Sequence, residues 1–402
     1  MSAAATQILH KDRIPATGVL VIPGRLNFEQ LLQLEKLFAE RKITWLIEES
    51  SHHDPSLRAY LEKSGTGAMF SADDDAPAAA GIQLQAYLAD GGLLIFVPGR
   101  AAARNATSCH IPSIHLRVLC AFGLPVLAVA IDCPRESSLC VEHRSSLPSS
   151  VIAIAKPIAA RDSSVAAYRQ ALLEAAEEAF SSRTLFRGSL AMTLLAGLKK
   201  HGSKNRIFDG ADDSELAYDK VLASAIAFSK VIKMETDQAR VAIVLPPGKA
   251  GLIANLAVLF AGKTPVNLNF TAGPEAIRSC IRQAGVDRFI TADPFVRRIS
   301  AFPWPPNRDL ILIERVLPSL KQKILTWSIL TKLLPTRVIG AVLRLNKRRG
   351  DDEATLLFTS GSSGEPKGVV LSHRNVLANV TQFGSRLDLP MGSAILGCLP
   401  LF

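Results

Sequence analysis

Cysteine, aromatic side chains and long apolar runs are all scarce in these 402 residues. The six cysteines (Cys109, Cys120, Cys133, Cys140, Cys280, Cys398) form no Cys-x-x-Cys and no paired histidine spacing, which excludes a zinc module and a disulfide scaffold. We read them as reduced core residues. Aromatic residues make up only 6 % and do not interleave with cations, so the formal charge of +10 does not mark a nucleic-acid partner. The longest uncharged apolar runs, Val118 to Ile131 and Gly251 to Gly262, fall short of the ~20 residues that cross a bilayer. Met1 to Pro15 lacks the apolar stretch of a secretory leader, which predicts a cytoplasmic protein. No repeat of fixed period occurs, and Ser71 to Ala80 is the one low-complexity stretch.

Hydrophobic residues reach 48 % and charged residues 20 %, the balance of a chain that buries a full core. Short apolar runs at Gly18 to Pro23, Ile43 to Glu48, Gly92 to Val97, Pro125 to Ile131 and Val151 to Ala155 alternate with helical patterns. That alternation predicts an α/β domain with a largely parallel sheet. The Ala/Leu/Glu-rich run Ser163 to Ser182 reads as its closing helix, and we place the domain boundaries at 1–183 and 184–402. A second α/β alternation follows. Ser214 is expected to cap a helix through Val231, and Ala239 to Leu245 to form a strand. Ala250 to Gly262 is then an apolar helix, with strands at Pro265 to Asn269, Arg288 to Thr291, Leu310 to Ile313, Ala354 to Phe358 and Gly368 to Ser372.

Between the last two strands lies Thr359-Ser360-Gly361-Ser362-Ser363-Gly364-Glu365-Pro366-Lys367-Gly368. Glycines let backbone N–H groups curl around phosphate oxygens, hydroxyls add donors, and Lys367 adds a mobile charge. Composition alone leaves open a plain Gly/Ser surface loop, although such a loop needs neither the lysine nor the proline. Ala257 to Thr264 also ends in Gly-Lys-Thr, but its first required glycine is Ala257 and it runs from helix into strand. A Walker loop runs the other way, from strand into helix.

The segment Phe358 to Gly368 resembles the glycine-rich signature of adenylate-forming enzymes, the acyl synthetase, luciferase and peptide-synthetase adenylation superfamily. Leu371-Ser372-His373-Arg374-Asn375 and Leu399-Pro400-Leu401-Phe402 are similar to its downstream segments, and Ala217-Tyr218-Asp219, Ala242 to Pro247 and Thr264 to Gly273 to its opening. The Asn269 to Gly273 wording and the preceding domain most resemble the bifunctional acyl-acyl-carrier-protein synthetase/2-acylglycerophosphoethanolamine acyltransferase family. This resemblance implies an ATP- and Mg²⁺-dependent ligase that makes a fatty acyl adenylate and passes the acyl group to the phosphopantetheine of acyl carrier protein or to CoA. It implies that Thr359, Ser360, Gly361, Ser362, Ser363, Gly364 and Lys367 hold the triphosphate. The family's Mg²⁺ ligands and catalytic lysine fall beyond Phe402. Residues 1–402 are therefore expected to be an inactive part of an active parent, with no catalytic residue and no metal ligand assigned within them.

The first domain resembles a glycerolipid acyltransferase that has lost its chemistry. Acyl transfer needs His-x-x-x-x-Asp, a base and the carboxylate that orients it. None of the eight histidines has Asp five positions on; Arg25 and Gln30 occupy the matching places, and Pro98 replaces the glutamate of the phosphate element. A noncatalytic membrane-associated scaffold with relic domains is the competing reading. From Val316 to Gly350 there are eight cations (Lys321, Lys323, Lys332, Arg337, Arg344, Lys347, Arg348, Arg349) and no acid. We expect helices at Ile324 to Leu334 and Val338 to Leu345 to lie on an anionic membrane surface through Ile324, Leu325, Trp327, Ile329 and Leu330, making the protein peripheral on the inner face of the cell membrane.

Overall fold

The computed structural model describes residues 6–24, 28–48, 59–60, 67–70, 82, 84–97, 111, 113–132, 150–359, 365–386 and 393–402. They form two compact units, Met1–Arg183 and Thr184–Phe402.

The first unit is built on seven strands: β1 (Gln7–Leu9), β2 (Val19–Pro23), β3 (Ile43–Glu48), β4 (Gly67–Phe70), β5 (Leu93–Val97), β6 (Val126–Asp132) and β7 (Val151–Ile154). Their order is β1-β7-β6-β2-β5-β3-β4, and every neighbouring pair is parallel except β6 with β7. Strands buried on both faces read as unbroken apolar runs, which is why β2, β5, β6 and β7 stand out in the sequence. Alternate residues serve opposite layers. Leu20, Ile22, Leu94 and Phe96 join one core, whereas Val19, Val21, Leu93 and Ile95 join the other. Each such buried aliphatic side chain contributes about 1.5–3 kcal/mol. The helix Val165–Ser181 starts where Ser164 Oγ accepts the Ala167 N–H at 3.0 Å. It lays Tyr168, Leu172, Ala175 and Ala179 on the first of these cores. Beyond it, Arg183 donates a bidentate pair to Asp132, both bonds 2.7 Å.

The second unit carries a six-stranded sheet of β10 (Arg240–Ile243), β11 (Thr264–Asn267), β12 (Phe289–Thr291), β13 (Leu310–Leu312), β14 (Glu353–Thr359) and β15 (Lys367–Ser372), ordered β13-β12-β10-β11-β14-β15. Only β14 with β15 is antiparallel. Val241 and Ile243 face a core shared with the helices Tyr218–Glu235 and Lys249–Phe260, while Ala242 and Val244 face a second core with the helix Pro274–Ala284. Arg240 on β10 reaches across to Glu353 on β14 in a bidentate pair of 2.7 and 2.8 Å. Gly350 enters β14 so close to the chain that a Cβ there would lie 1.8 Å from the Phe186 carbonyl oxygen.

Four sequence expectations need correction. Ser214 does not cap a helix. It begins β9 (Ser214–Ala217), which pairs with β8 (Arg206–Asp209) in an antiparallel hairpin, and the helix starts at Tyr218. Among the cysteines, Cys280 is buried but Cys398 is exposed. Trp327 does not face outward; it is 6 % exposed, packs in the core and has the Lys230 ammonium 5.0 Å from its ring centre. Ile324 and Leu330 likewise pack against that core. No helix among the described residues is long and apolar enough to cross a membrane.

Candidate functional site

Strands β10 to β14 run in one direction, so their carboxyl ends share one edge of the sheet. The chain passes from β10 to β11 on one side and then crosses to β12 on the other, so the strand order switches between β10 and β12. Open α/β sheets bind ligands outside the carboxyl ends of their strands, by such a switch.

At this edge β14 ends in Thr359 and β15 begins with Lys367, paired across the ladder, so these two residues close the glycine-rich loop at its base. The Thr359 hydroxyl donates to the Lys367 carbonyl at 3.5 Å. Both side chains are exposed, and Lys367 makes no ion pair with any described residue. Ser360, Gly361, Ser362, Ser363 and Gly364 lie outside the described residues.

The outgoing limb of the loop is tied to the helix Pro274–Ala284. Ser279 Oγ donates to Glu365 Oε1 at 2.7 Å, and Gln283 Nε2 donates to the Pro366 carbonyl at 2.9 Å and to Ser279 Oγ at 3.0 Å. Sequence reasoning missed Ser279 and Gln283 because more than eighty residues separate them from the loop. The one sequence signal is a polar Ser/Gln pair at i, i+4 on the loop-facing side of an amphipathic helix.

The turn after β10 is arranged differently. Gly248, at φ 146°, packs its α-carbon against Asp209, whose carboxylate accepts the Lys249 N–H at 2.9 Å and the Ala211 N–H at 3.1 Å. Lys249 in turn pairs with Asp212 and Ser214. A protein carboxylate thus already occupies the positive end of the helix Lys249–Phe260, the place where many nucleotide folds hold phosphate. The Gly-Lys-Thr of Ala257 to Thr264 runs from that same helix into β11, with Lys263 donating to the Gln238 carbonyl at 2.6 Å.

Other segments meet this edge. Phe270, just beyond β11, holds Phe295 and Phe402 in edge-to-face contacts with ring centres 4.9 and 5.1 Å away. Leu401 fills the space above Gly251, where a Cβ would lie 2.6 Å from its Cδ1. Among the described residues no three metal-ligating side chains come together.

Comparison with known proteins points the same way. Residues 197–402 match the family model described as "AMP-binding enzyme". A nonribosomal peptide synthetase, ecdA of Aspergillus rugulosus, is 28 % identical over 179 residues, 44 % of this chain and 2 % of the relative. The peroxisomal long chain acyl-CoA synthetase 6 of Arabidopsis thaliana is 30 % identical over 145 residues, 34 % of this chain and 20 % of the relative. A long-chain-fatty-acid–AMP ligase of Mycobacterium marinum is 28 % identical over 178 residues, 40 % of this chain and 27 % of the relative. The chain thus spans under a third of the length of each of these relatives. With the model covering just over half of the chain, and a glycine-rich loop at the carboxyl edge of its second sheet, the chain belongs to the AMP-binding enzyme family.

Proposed function

We propose that the whole protein is an ATP-dependent fatty acyl ligase serving phospholipid acylation. The fatty acid carboxylate attacks the α-phosphorus of ATP and pyrophosphate leaves. The phosphopantetheine thiol of acyl carrier protein or CoA then attacks the acyl carbonyl and AMP leaves. Thr359, Ser360, Gly361, Ser362, Ser363, Gly364 and Lys367 are assigned to the triphosphate in this reading. The observation that carries it is Lys367, exposed and without an ion pair among the described residues, at the base of a hydroxyl- and glycine-rich loop whose outgoing limb is anchored at the edge where α/β sheets take ligands. The fatty acid as substrate is supported by the names of two relatives. When bound, Mg²⁺ would neutralise phosphate charge.

We assign residues 1–183 the fold of a glycerolipid acyltransferase without its activity. Gln30 supports this: it is buried on the first turn of the helix Phe28–Leu37, after β2, and offers an amide where a base would need an orienting carboxylate. Arg25 and Pro98 lie outside the described residues.

The test is ATP–pyrophosphate exchange by the whole protein with panels of fatty acids and amino acids. Exchange is expected with fatty acids, and the same preparation should transfer no acyl group to lysophospholipid. Exchange driven by amino acids alone would overturn the substrate assignment, and acyl transfer would overturn the reading of residues 1–183.

A further inference from the structure

The helix Lys321–Leu333 carries two apolar stripes rather than one. At about 100° per residue, Leu320, Ile324, Trp327 and Thr331 share one side, which packs in the core of the second unit. Leu325, Ile329 and Leu333, spaced i, i+4, i+8, stand on the opposite side at 61, 54 and 74 % exposure. The next helix, Thr336–Leu343, repeats the arrangement: Ile339 and Leu343 are buried while Val338 and Val342 are exposed. Exposed Leu or Val at every outward turn of two consecutive helices is not the ordinary solvated face, which is polar.

The charge around these stripes has one sign. Lys321, Lys323, Arg337, Arg344, Lys347 and Arg349 are exposed, and none of them makes an ion pair with a described residue. Lys332 alone is drawn aside, toward Asp219 at 3.5 Å. Arg348 is partly buried and donates to the Gly262 carbonyl at 2.6 Å, so it serves the fold. Apolar side chains that penetrate, with unopposed cations on the same helices and the turn that follows them, complement a layer with an apolar interior and a negative surface. A soluble acidic protein would match the cations but would leave the leucine stripe without a stated partner.

We propose that the outward faces of Lys321–Leu333 and Thr336–Leu343 dock on an anionic phospholipid bilayer, with Leu325, Ile329, Leu333, Val338 and Val342 entering the headgroup boundary. The docking face is therefore the reverse of the Trp327 side. This surface is independent of the ligase reading and stands or falls separately from it.

The experiment is co-sedimentation of the whole protein with vesicles of phosphatidylcholine alone and of phosphatidylcholine with phosphatidylglycerol in equal parts. Two variants accompany it: Leu325→Gln/Ile329→Gln/Leu333→Gln and Lys321→Gln/Lys323→Gln/Arg337→Gln, all at exposed positions, with thermal melts to confirm that both fold. Wild type should prefer the anionic vesicles and release as salt rises, since the screening length falls from about 10 Å at 0.1 M to about 3 Å at 1 M. Losing three cations should weaken binding by about 100-fold, near fivefold per charge. The stripe variant should lose most binding to both vesicles. Equal affinity for the two vesicle types, or a stripe variant that binds like wild type, overturns the proposal. So does a wild type that binds no vesicle and sediments as a dimer that the stripe variant dissociates.

Discussion

His373 opens the helix His373–Arg386 with its imidazole fully enclosed, and neither ring nitrogen has a hydrogen-bond partner among the described residues. Burial holds its pKa below the ordinary imidazole value, and the nearby Arg348 adds to this while Asp352 opposes it. An unfolded chain protonates this residue near the usual value of about 6.5, so between the two values the unfolded state binds more protons. The stabilising contribution is therefore complete above pH ~6.5 and is lost as pH falls through the folded value. Denaturant midpoints measured from pH 8 down to pH 5 should fall more steeply for wild type than for His373→Gln; parallel slopes would show that His373 stays protonatable without cost. Some residue roles are legible without coordinates. Lys367 declares itself by standing at the end of a run of glycines and hydroxyls. Ser279 does not, because its hydrogen bond to Glu365 depends on how a helix packs beside a strand.

At the scale of elements, a neighbouring helix ties down Glu365 and Pro366, the described outgoing limb of a strand-to-strand connection. Ser279 and Gln283 hold Glu365 and Pro366, so the helix Pro274–Ala284 sets where the loop leaves the sheet edge. Ser279→Ala removes a hydrogen bond to a carboxylate, worth about 1.5–3 kcal/mol, and frees that limb. The expected result is a rise of about 10-fold in the KM for ATP with a smaller change in the melting temperature; an unchanged KM would mean the loop is held by other means. The buried strands β2, β5, β6 and β10 could be read from their apolar runs. The hairpin β8/β9 could not, because its short, charge-bearing strands bring only Ile207 and Leu216, both partly buried, against the core and Ser214 looks like a cap. The burial of Trp327 is hidden for a similar reason: with apolar residues on both sides of its helix, periodicity alone cannot say which side is inside.

For the whole molecule, both units are α/β, each with two cores, and the proposed site lies at the carboxyl edge of the second sheet. The parallel strands β10 to β14 bring the turns after β10 and β11 and the glycine-rich loop together, although they are spread over more than a hundred residues. Asp209 already fills the helix terminus after β10, so the proposed triphosphate site rests on the loop and its lysine. The most direct measurement is fatty-acid-dependent ATP–pyrophosphate exchange by the whole protein and its Lys367→Ala variant. Because Lys367 is exposed and makes no ion pair with a described residue, the variant should melt like wild type, while the exchange rate should drop by about 10²–10³, the usual effect of losing one preorganised donor to a developing charge. A variant that folds normally and exchanges at the wild-type rate would contradict the assignment of this loop to the triphosphate.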